Sequence, residues 1–195
     1  MRKITSKELA LIEDKFMKSL QEEDKTEKDT KSMYLCGEVG TGKTYFAKKF
    51  KFVEKKVVIK TPHSINKSIT LQEIIKSVFI NWSGHISDLK SNMNADVKQK
   101  MMPNNYLKKI KILIIDDLGA EMVSKWSLNE IFFPLLDYRY EKKLFTIFTS
   151  NYSVENLKKL WLKCGIDSVS INRLVSRIKG MCVEYELIGK DRRSM

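Results

Sequence analysis

A glycine-rich octapeptide, GEVGTGKT at residues 37–44, has the residue types and the spacing that phosphate binding requires. It matches the pattern G-x-x-x-x-G-K-[ST] in full, after an apolar strand-like run and before a helical pattern. Glycine lets backbone N–H groups approach phosphate oxygens, and the start of the following helix adds a positive dipole. Lys43 would bridge the β- and γ-phosphates, and the Thr44 hydroxyl would bind Mg²⁺. We therefore predict a nucleotide site built by Gly37, Glu38, Val39, Gly40, Thr41, Gly42, Lys43, Thr44 and Tyr45.

Two adjacent carboxylates, Asp116 and Asp117, follow the apolar run at residues 112–115. Sheets of parallel strands bind ligands at the carboxyl ends of the strands, so this run would deliver both carboxylates to the phosphate site. We expect Asp116 to hold Mg²⁺ through water and Asp117 to polarise the attacking water. The alternative, that one Asp only caps the next helix, is disfavoured because the chain also carries the phosphate loop.

The tripeptide Thr149-Ser150-Asn151 follows another apolar run, residues 144–148. A polar residue here would lie beside the carboxylate strand, within reach of the γ-phosphate or the attacking water. Ser-Asn is also ordinary turn chemistry, but the order of the motifs along the chain favours function. Asn151 therefore joins Lys43 and Asp117 as a candidate catalytic residue.

Short apolar runs alternate with helical patterns, which predicts a parallel sheet with helices on both faces. Strands are predicted at residues 33–36, 57–59, 112–115, 144–148 and 182–188. Helices are predicted near residues 43–55, 68–80, 127–141, 153–163 and 168–179, with a kink at Pro134. The inner runs are continuously apolar, and the alternation in the last run suits an edge strand. Residues 81–106 show little periodicity and are predicted as a long loop with at most a short helix.

The first 31 residues differ from the rest because they form one amphipathic pattern followed by a charged linker. Thr5-x-x-Glu8 fits a capping box, and apolar residues recur at helical spacing over residues 5–20. We therefore divide the chain into an N-terminal helix with its linker, residues 1–31, and one α/β domain, residues 32–195. The helix either docks on a partner or packs back on the domain, and the sequence leaves both readings open.

The charge balance favours a polyanionic partner. The 195 residues carry a net charge of +12, and residues 1–31 hold eight basic and eight acidic side chains, so the excess lies in the rest of the chain. Nucleic acid is the usual partner of such a domain, although solvated Lys faces would give the same composition. Trp82 lies near His85 in a Lys-rich stretch, where it would either stack on a base or anchor its loop.

The remaining composition disfavours several other classes of protein. The three Cys form no CxxC pair and there are two His, which makes a structural zinc site and a disulfide scaffold poor candidates. The longest purely aliphatic run, residues 112–115, is too short to cross a membrane, and no signal-peptide pattern begins the chain. We expect a soluble, cytoplasmic protein without a membrane partner.

The chain resembles AAA+ ATPases of the bacterial replicative helicase loader family, of the DnaC/DnaI type. The resemblance covers about residues 32–195 and rests on GEVGTGKT, IIDDLGAE at 114–121, Trp126, FTSNYS at 148–153, Arg173, Arg177 and GKDRR at 189–193. It implies a three-layer P-loop NTPase fold with a five-stranded parallel sheet, strand order 5-1-4-3-2, and no C-terminal helical lid. It also implies that Asn151 is sensor I and that Arg177 is an arginine finger, supplied to a neighbouring subunit by self-association.

The resemblance implies an ATPase that uses ATP and Mg²⁺, binds single-stranded DNA and helps to place a hexameric replicative DNA helicase. The alternative is a transposition helper ATPase of the IstB-like type, which would act on target DNA with a transposase. A small-molecule kinase is less favoured, because no phosphoacceptor pocket or Arg-bearing lid is evident. Arg177 could instead pair with Glu184 or Glu186 in its own subunit. Loaders of this type usually carry a larger N-terminal domain than the 31 residues that precede this core.

Overall fold

The computed structural model describes residues 1–21, 31–50, 52–60, 68–92 and 104–191, with the side chains of 16–21, 52–60, 68–76 and 92 excepted. The strands are β1 Arg2–Ile4, β2 Ser32–Cys36, β3 Phe52–Lys60, β4 Ser68–Asn81, β5 Ile112–Asp116, β6 Phe145–Thr149 and β7 Cys182–Leu187. The helices are α1 Ser6–Gln21, α2 Lys43–Lys49, α3 Trp82–Asn92, α4 Asn104–Lys109, α5 Phe133–Glu141, α6 Val154–Lys163 and α7 Ser168–Met181, and a π-helical segment, Ser127–Phe132, leads into α5.

The strands form one sheet in the order β1-β7-β2-β6-β5-β4-β3. Six of them run parallel, and β3 pairs antiparallel with β4 at one edge. The predicted α/β architecture is therefore confirmed, whereas the predicted count of five strands is wrong. The five predicted strands do follow one another in the order 5-1-4-3-2, but β4 lies between the last two and β1 is added at the other edge. Because the strands that carry the predicted site residues are parallel, their carboxyl ends meet at one edge of the sheet.

The sixth parallel strand comes from the N-terminus, where none was predicted. β1 aligns Arg2 with Tyr185 and Ile4 with Leu187, so β7 lies inside the sheet and is not the edge strand we predicted. A strand of three residues is too short to show the alternation by which strands are recognised. Ile4, the last residue of β1, is fully buried, which indicates that the N-terminal segment belongs to the core.

The strand beside β5 also differs from the prediction. Residues 57–59 lie in β3, the edge strand of the sheet, which pairs with β4. The strand beside β5 is the end of β4, where Ser77–Asn81 aligns with Ile112–Asp116. The predicted helix at 68–80 is therefore wrong, and helix α2 ends at Lys49 because the chain enters β3 at Phe52. Apolar residues in the stretch ITLQEIIKSVFI fit helical and strand spacing alike, and only pairing with β3 and β5 decides between them.

Apolar side chains cover both faces of the sheet, as expected for strands buried between two layers of helices. In β5, Leu113 and Ile115 belong to the cluster that contains α5, α6 and α7 side chains, while Ile112 and Ile114 belong to the opposite cluster with α2. Leu9 of α1 is 1% exposed within that second cluster. The start of α1 thus packs on the sheet, which was one of the two readings left open.

The remaining helices follow the predicted pattern except in one region. The capping box is confirmed, because Glu8 Oε2 accepts hydrogen bonds from the Thr5 backbone N–H (2.7 Å) and hydroxyl (2.9 Å). Pro134 lies inside a helical run that is continuous over residues 125–141, directly after the π-helical segment. The predicted loop 81–106 is wrong in part, since it contains α3 and the start of α4, and residues 93–103 lie outside the described part.

Trp82 at the start of α3 is fully buried and contacts Phe132, so it anchors the helix and has no face for a base. Within the described residues, which end at 191, no helix follows β7. The helices that the structure describes include none with the length and apolar character that crossing a bilayer requires. The predicted linker at 21–31 lies almost wholly outside the described residues.

Candidate nucleotide-binding site

A cavity of 670 Å³ opens at the carboxyl edge of the sheet, where β2, β4, β5 and β6 end. Its lining residues are Val39, Gly40, Gly42, Lys43, Thr44, Tyr45, Asn81, Asp116, Asp117, Thr149 and Asn151. Nine of these were predicted from the sequence, and they come from three separate segments of the chain. Gly37, Glu38 and Thr41 lie in the same loop without lining the cavity.

The phosphate loop needs glycine at two positions for a reason visible in the structure. Gly37 and Gly40 have φ values of 139° and 79°, which side chains rarely adopt. A Cβ on Gly37 would lie 2.4 Å from the Leu187 carbonyl oxygen, and a Cβ on Gly40 would lie 1.8 Å from Asp191 Oδ1. The end of β7 and the segment after it therefore lie against the loop, which leaves no room for side chains there.

Lys43 is 8% exposed and its ammonium group lies within the loop. Lys43 Nζ donates hydrogen bonds to the carbonyl oxygens of Gly37 (2.8 Å) and Glu38 (2.7 Å), and the Thr41 hydroxyl also donates to the Glu38 carbonyl (2.9 Å). These two carbonyl acceptors are neutral, and phosphate oxygens, which carry charge, would bind the ammonium more strongly in their place. The loop therefore presents a cation at the edge of the cavity that Gly40 and Gly42 also line.

The carboxylate of Asp116 is held by two hydroxyl groups. Thr44 Oγ1 donates to Asp116 Oδ1 at 2.9 Å, and Thr149 Oγ1 donates to the same oxygen at 2.6 Å. Hydroxyl and carboxylate oxygens are the ligands that Mg²⁺ prefers, and Mg²⁺ usually keeps several waters and substrate phosphates in its shell. The described residues contain no cluster of three or more His, Cys, Asp or Glu, so this oxygen set fits magnesium bound with a nucleotide better than a metal held by protein alone.

Asp117 adopts a left-handed backbone conformation with φ of 62°. Its N–H donates to Thr149 Oγ1 (2.9 Å), and the next N–H, of Leu118, donates to the Thr149 carbonyl oxygen (2.8 Å). The Ser150 hydroxyl donates to the Leu118 carbonyl oxygen at 2.6 Å. The end of β6 thus fixes the turn after β5, and this turn directs Asp117 into the cavity.

Glu121, the last residue of the string DDLGAE, also stabilises the turn after β5. Its Oε2 accepts the Gly119 N–H at 2.7 Å, and the side chain is 6% exposed. Burial raises the pKa of the Glu121 carboxyl above its ordinary value. Glu121 Oε1 and Trp82 Nε1 are both buried without a hydrogen-bond partner in the described part of the chain.

Sequence reasoning missed two residues that line the cavity. Asn81 ends β4 opposite Asp116, and its Oδ1 accepts the Gly84 N–H (2.9 Å) at the start of α3. It was missed because its strand was taken as a helix, although an Asn just before a helix is a capping signal. Thr149 was noted in its tripeptide but given no role. Its place at the end of a strand beside the carboxylate strand was the available signal.

Arg177 lies outside the cavity, on α7. Its Nε donates to Asp137 Oδ1 at 2.7 Å, and its guanidinium lies 4.7 Å from the centre of the Tyr140 ring. Pairing with Glu184 or Glu186 within the subunit, which the sequence suggested as an alternative, is wrong: Arg177 pairs with Asp137. Glu184 instead accepts the Val154 N–H at the start of α6.

Comparison with known proteins agrees with this architecture. No protein-family model matches the chain. The replicative helicase loader DnaI of Bacillus subtilis (strain 168) is 26% identical over 181 residues, which is 91% of this chain. The chain spans about half of the length of this curated relative, 51%.

Two solved structures show the fold. The crystal structure of the DnaC helicase loader has a TM-score of 0.61 and 23% identity, and the match covers 96% of this chain and 93% of that one. The AMPPCP-bound DnaA of Aquifex aeolicus has a TM-score of 0.54 and 20% identity, with 95% and 49% covered. The chain therefore has the α/β AAA+ P-loop fold, and it resembles the DnaI/DnaC type of replicative helicase loader, as its sequence motifs predicted.

Proposed function

We propose that this protein is a magnesium-dependent ATPase that acts as a helicase loader, binding single-stranded DNA and helping to place a hexameric replicative helicase. The observation that carries the proposal is the convergence of Lys43, Thr44, Asp116, Asp117 and Asn151 on one cavity from three separate strand ends. Chance does not bring a phosphate-binding lysine, a hydroxyl and a pair of carboxylates together in this arrangement.

ATP is the nucleotide that this arrangement suits. The phosphates would lie along the loop, where Lys43 exchanges its two carbonyl acceptors for β- and γ-phosphate oxygens. Thr44 and Asp116 are the residues that would hold Mg²⁺, which when bound neutralises charge on the phosphates. Likeness in fold to an AMPPCP-bound protein supports the choice of an adenine nucleotide.

Hydrolysis would depend on Asp117 and Asn151. Asp117 is directed into the cavity by its turn and would orient and polarise the attacking water. Asn151 lies one strand away on the same edge and would contact that water or the γ-phosphate. Tyr45, Val39 and the rest of the loop would contribute binding without entering the chemistry.

The action on a helicase is supported by resemblance. DnaI and DnaC are named as helicase loaders; this chain is 26% identical to DnaI over 181 residues and shares its fold with DnaC. Binding of single-stranded DNA is supported by the net charge of +12, all of it beyond residue 31. We propose residues 32–195 as the ATPase domain; residues 1–31 contribute β1 to its sheet and the buried Leu9 of α1 to its core.

Self-association would complete the site. No cation other than Lys43 lines the cavity in the described part of the chain, so charge that builds on the γ-phosphate has a single neutralising side chain. Arg177 is partly exposed, at 35%, and we propose that it leaves Asp137 to reach a neighbour's site. An arginine finger raises the rate of phosphoryl transfer by roughly 10³–10⁵ in favourable cases.

The test mixes the protein with the hexameric helicase of its host, with and without ATP, and measures the mass of the complex and ATP turnover. The proposal expects an ATP-dependent complex and turnover that responds to single-stranded DNA but not to nucleosides. A complex with a transposase and none with the helicase would instead support the transposition helper. Phosphate transfer to a nucleoside would identify a kinase.

A further inference from the structure

We propose that Thr149 is a positioning residue that couples the two carboxylates of the site through its single hydroxyl group. This inference rests on the proposed function and assigns a role to a residue that the sequence motifs left without one. Thr149 is the last residue of β6 and is 1% exposed, so its hydroxyl is held among fixed neighbours at the wall of the cavity.

The Thr149 hydroxyl group donates one hydrogen bond and accepts another. Thr149 Oγ1 donates its proton to Asp116 Oδ1 at 2.6 Å and accepts the Asp117 N–H at 2.9 Å. One atom therefore sets the orientation of the carboxylate that would hold magnesium and the position of the backbone that carries the carboxylate beside it. A hydrogen bond to a charged acceptor is shorter and stronger than one between neutral groups, which agrees with the 2.6 Å distance.

The two hydrogen bonds on Asp116 Oδ1 also decide which oxygen faces the site. Thr44 and Thr149 both donate to Oδ1. No hydrogen bond to Oδ2 is found among the residues that the structure describes, so Oδ2 is the oxygen available to magnesium or to its water. Without the Thr149 hydroxyl, the carboxylate would be held by Thr44 alone and could rotate about its χ2 torsion.

The conformation of Asp117 gives the second part of the argument. A non-glycine residue with φ of 62° is held in a sparsely populated region and persists only where its surroundings over-determine it. Thr149 supplies two of the contacts that do so, through its hydroxyl to Asp117 N–H and through its carbonyl to Leu118 N–H. A side-chain substitution removes the first contact and leaves the second, so the turn should survive while Asp117 shifts.

The test compares Thr149→Val, which keeps the shape without the hydroxyl, with Thr149→Ser, which keeps the hydroxyl. Thr149→Ala and Thr149→Ser differ by the hydroxyl alone and form a second pair if the Val variant does not fold. Thr146→Val is the matched control, because Thr146 is a fully buried threonine of the same strand whose hydroxyl accepts from Arg139 and donates to the Leu144 carbonyl.

Two quantities are measured for each folded variant: the Mg²⁺ concentration that half-saturates binding of a fluorescent ATP analogue, and the rate of ATP hydrolysis. We expect Thr149→Val or Thr149→Ala to raise the Mg²⁺ midpoint about 10-fold and to slow hydrolysis by at least that factor. Thr149→Ser should stay within about twofold of the wild type, and Thr146→Val should lower the melting temperature without moving the Mg²⁺ midpoint.

An unchanged Mg²⁺ midpoint in the hydroxyl-free variants, or equal impairment in Thr149→Ser, would overturn the role of Thr149. A wild type that binds the analogue with Mg²⁺ but does not hydrolyse ATP would contradict the ATPase proposal, while the midpoints would still decide on Thr149. If the wild type shows no magnesium-dependent binding, both proposals are wrong.

Discussion

Thr44 and Asp116 lie 72 residues apart in the chain and are joined by a hydrogen bond of 2.9 Å between Thr44 Oγ1 and Asp116 Oδ1. This bond ties the first turn of α2 to the end of β5, and so it connects the phosphate loop to the carboxylate strand. The two groups that would share a magnesium ion are already in contact through their oxygens. The site therefore needs little rearrangement of the backbone to bind a magnesium nucleotide.

Replacing Lys43 with Ala should weaken ATP binding by roughly 30-fold or more, because it removes the ammonium that would face the β- and γ-phosphates. The measurement is a titration with a fluorescent ATP analogue. Lys49→Ala is the control, since Lys49 ends the same helix, and its ammonium pairs with Glu13 instead, at 2.9 Å. Loss of affinity in both variants alike would indicate a general charge effect and contradict the assignment.

The burial of Leu9 makes a prediction about the N-terminal segment. Leu9 is 1% exposed and Leu11 is 64% exposed, although only Ala10 separates them on the same helix. Leu9→Ala should lower the free energy of unfolding by about 2–5 kcal/mol, because it opens a cavity in the core. Leu11→Ala should change it by less than about 0.5 kcal/mol. Denaturant unfolding measures both, and equal small effects would mean that α1 does not pack on the sheet.

The proposed role of Arg177 is tested by mixing two inactive variants. Arg177→Ala should bind ATP normally and hydrolyse it poorly, because its neighbour's site lacks the finger. Lys43→Ala cannot bind ATP well but keeps its own Arg177, so adding it should restore part of the hydrolysis. Turnover is measured over a range of ratios of the two variants.

The control for this experiment is the double variant Lys43→Ala/Arg177→Ala, which should restore nothing. If no ratio of the single variants recovers hydrolysis under conditions where the wild type associates, Arg177 does not act between subunits. Its ion pair with Asp137 and its contact with Tyr140 would then be its whole role.

Affinity for single-stranded DNA should fall steeply with salt, with a slope that shrinks by roughly 0.7 for each phosphate contact removed. The variant Lys108→Gln/Lys109→Gln should flatten the slope, since these side chains end α4 within residues 90–111, a stretch where basic residues are concentrated. Lys158→Gln/Lys159→Gln on α6 is the control, because it changes the net charge equally at two helical lysines of matching exposure. Identical salt slopes for the two variants would mean that Lys108 and Lys109 do not contact the DNA phosphates. Lys98 and Lys100, which we also expect to contribute, lie outside the described residues.

Motifs in which a residue type is required for chemistry were predictable from the sequence. Gly40 and Lys43 are examples. Gly40 has a positive φ and Lys43 has a buried ammonium group, and the phosphate-loop pattern implies both features. The buried strands β2, β5 and β6 were predictable for a similar reason, because continuous apolar runs between turn signals have few other uses.

The errors arose where local pattern carries little information about pairing partners. Residues 68–81 fit a helix and a strand equally well by spacing, and only pairing makes them a strand: residues 68–76 pair with β3 and residues 77–81 with β5. β1 is three residues long and exists because β7 offers it an edge. Asn81 was missed as a result of the first error, since a site residue at a strand end is invisible when the strand is not recognised.

Asp117→Asn provides the most direct test of the central claim, that the edge of this sheet is an ATP-hydrolysing site. The substitution keeps the size and the turn of Asp117 but weakens its ability to polarise water. We expect ATP affinity to stay within about twofold of the wild type, while the rate of hydrolysis with Mg²⁺ falls by roughly 100-fold or more. Equal rates of hydrolysis in Asp117→Asn and the wild type would contradict the account.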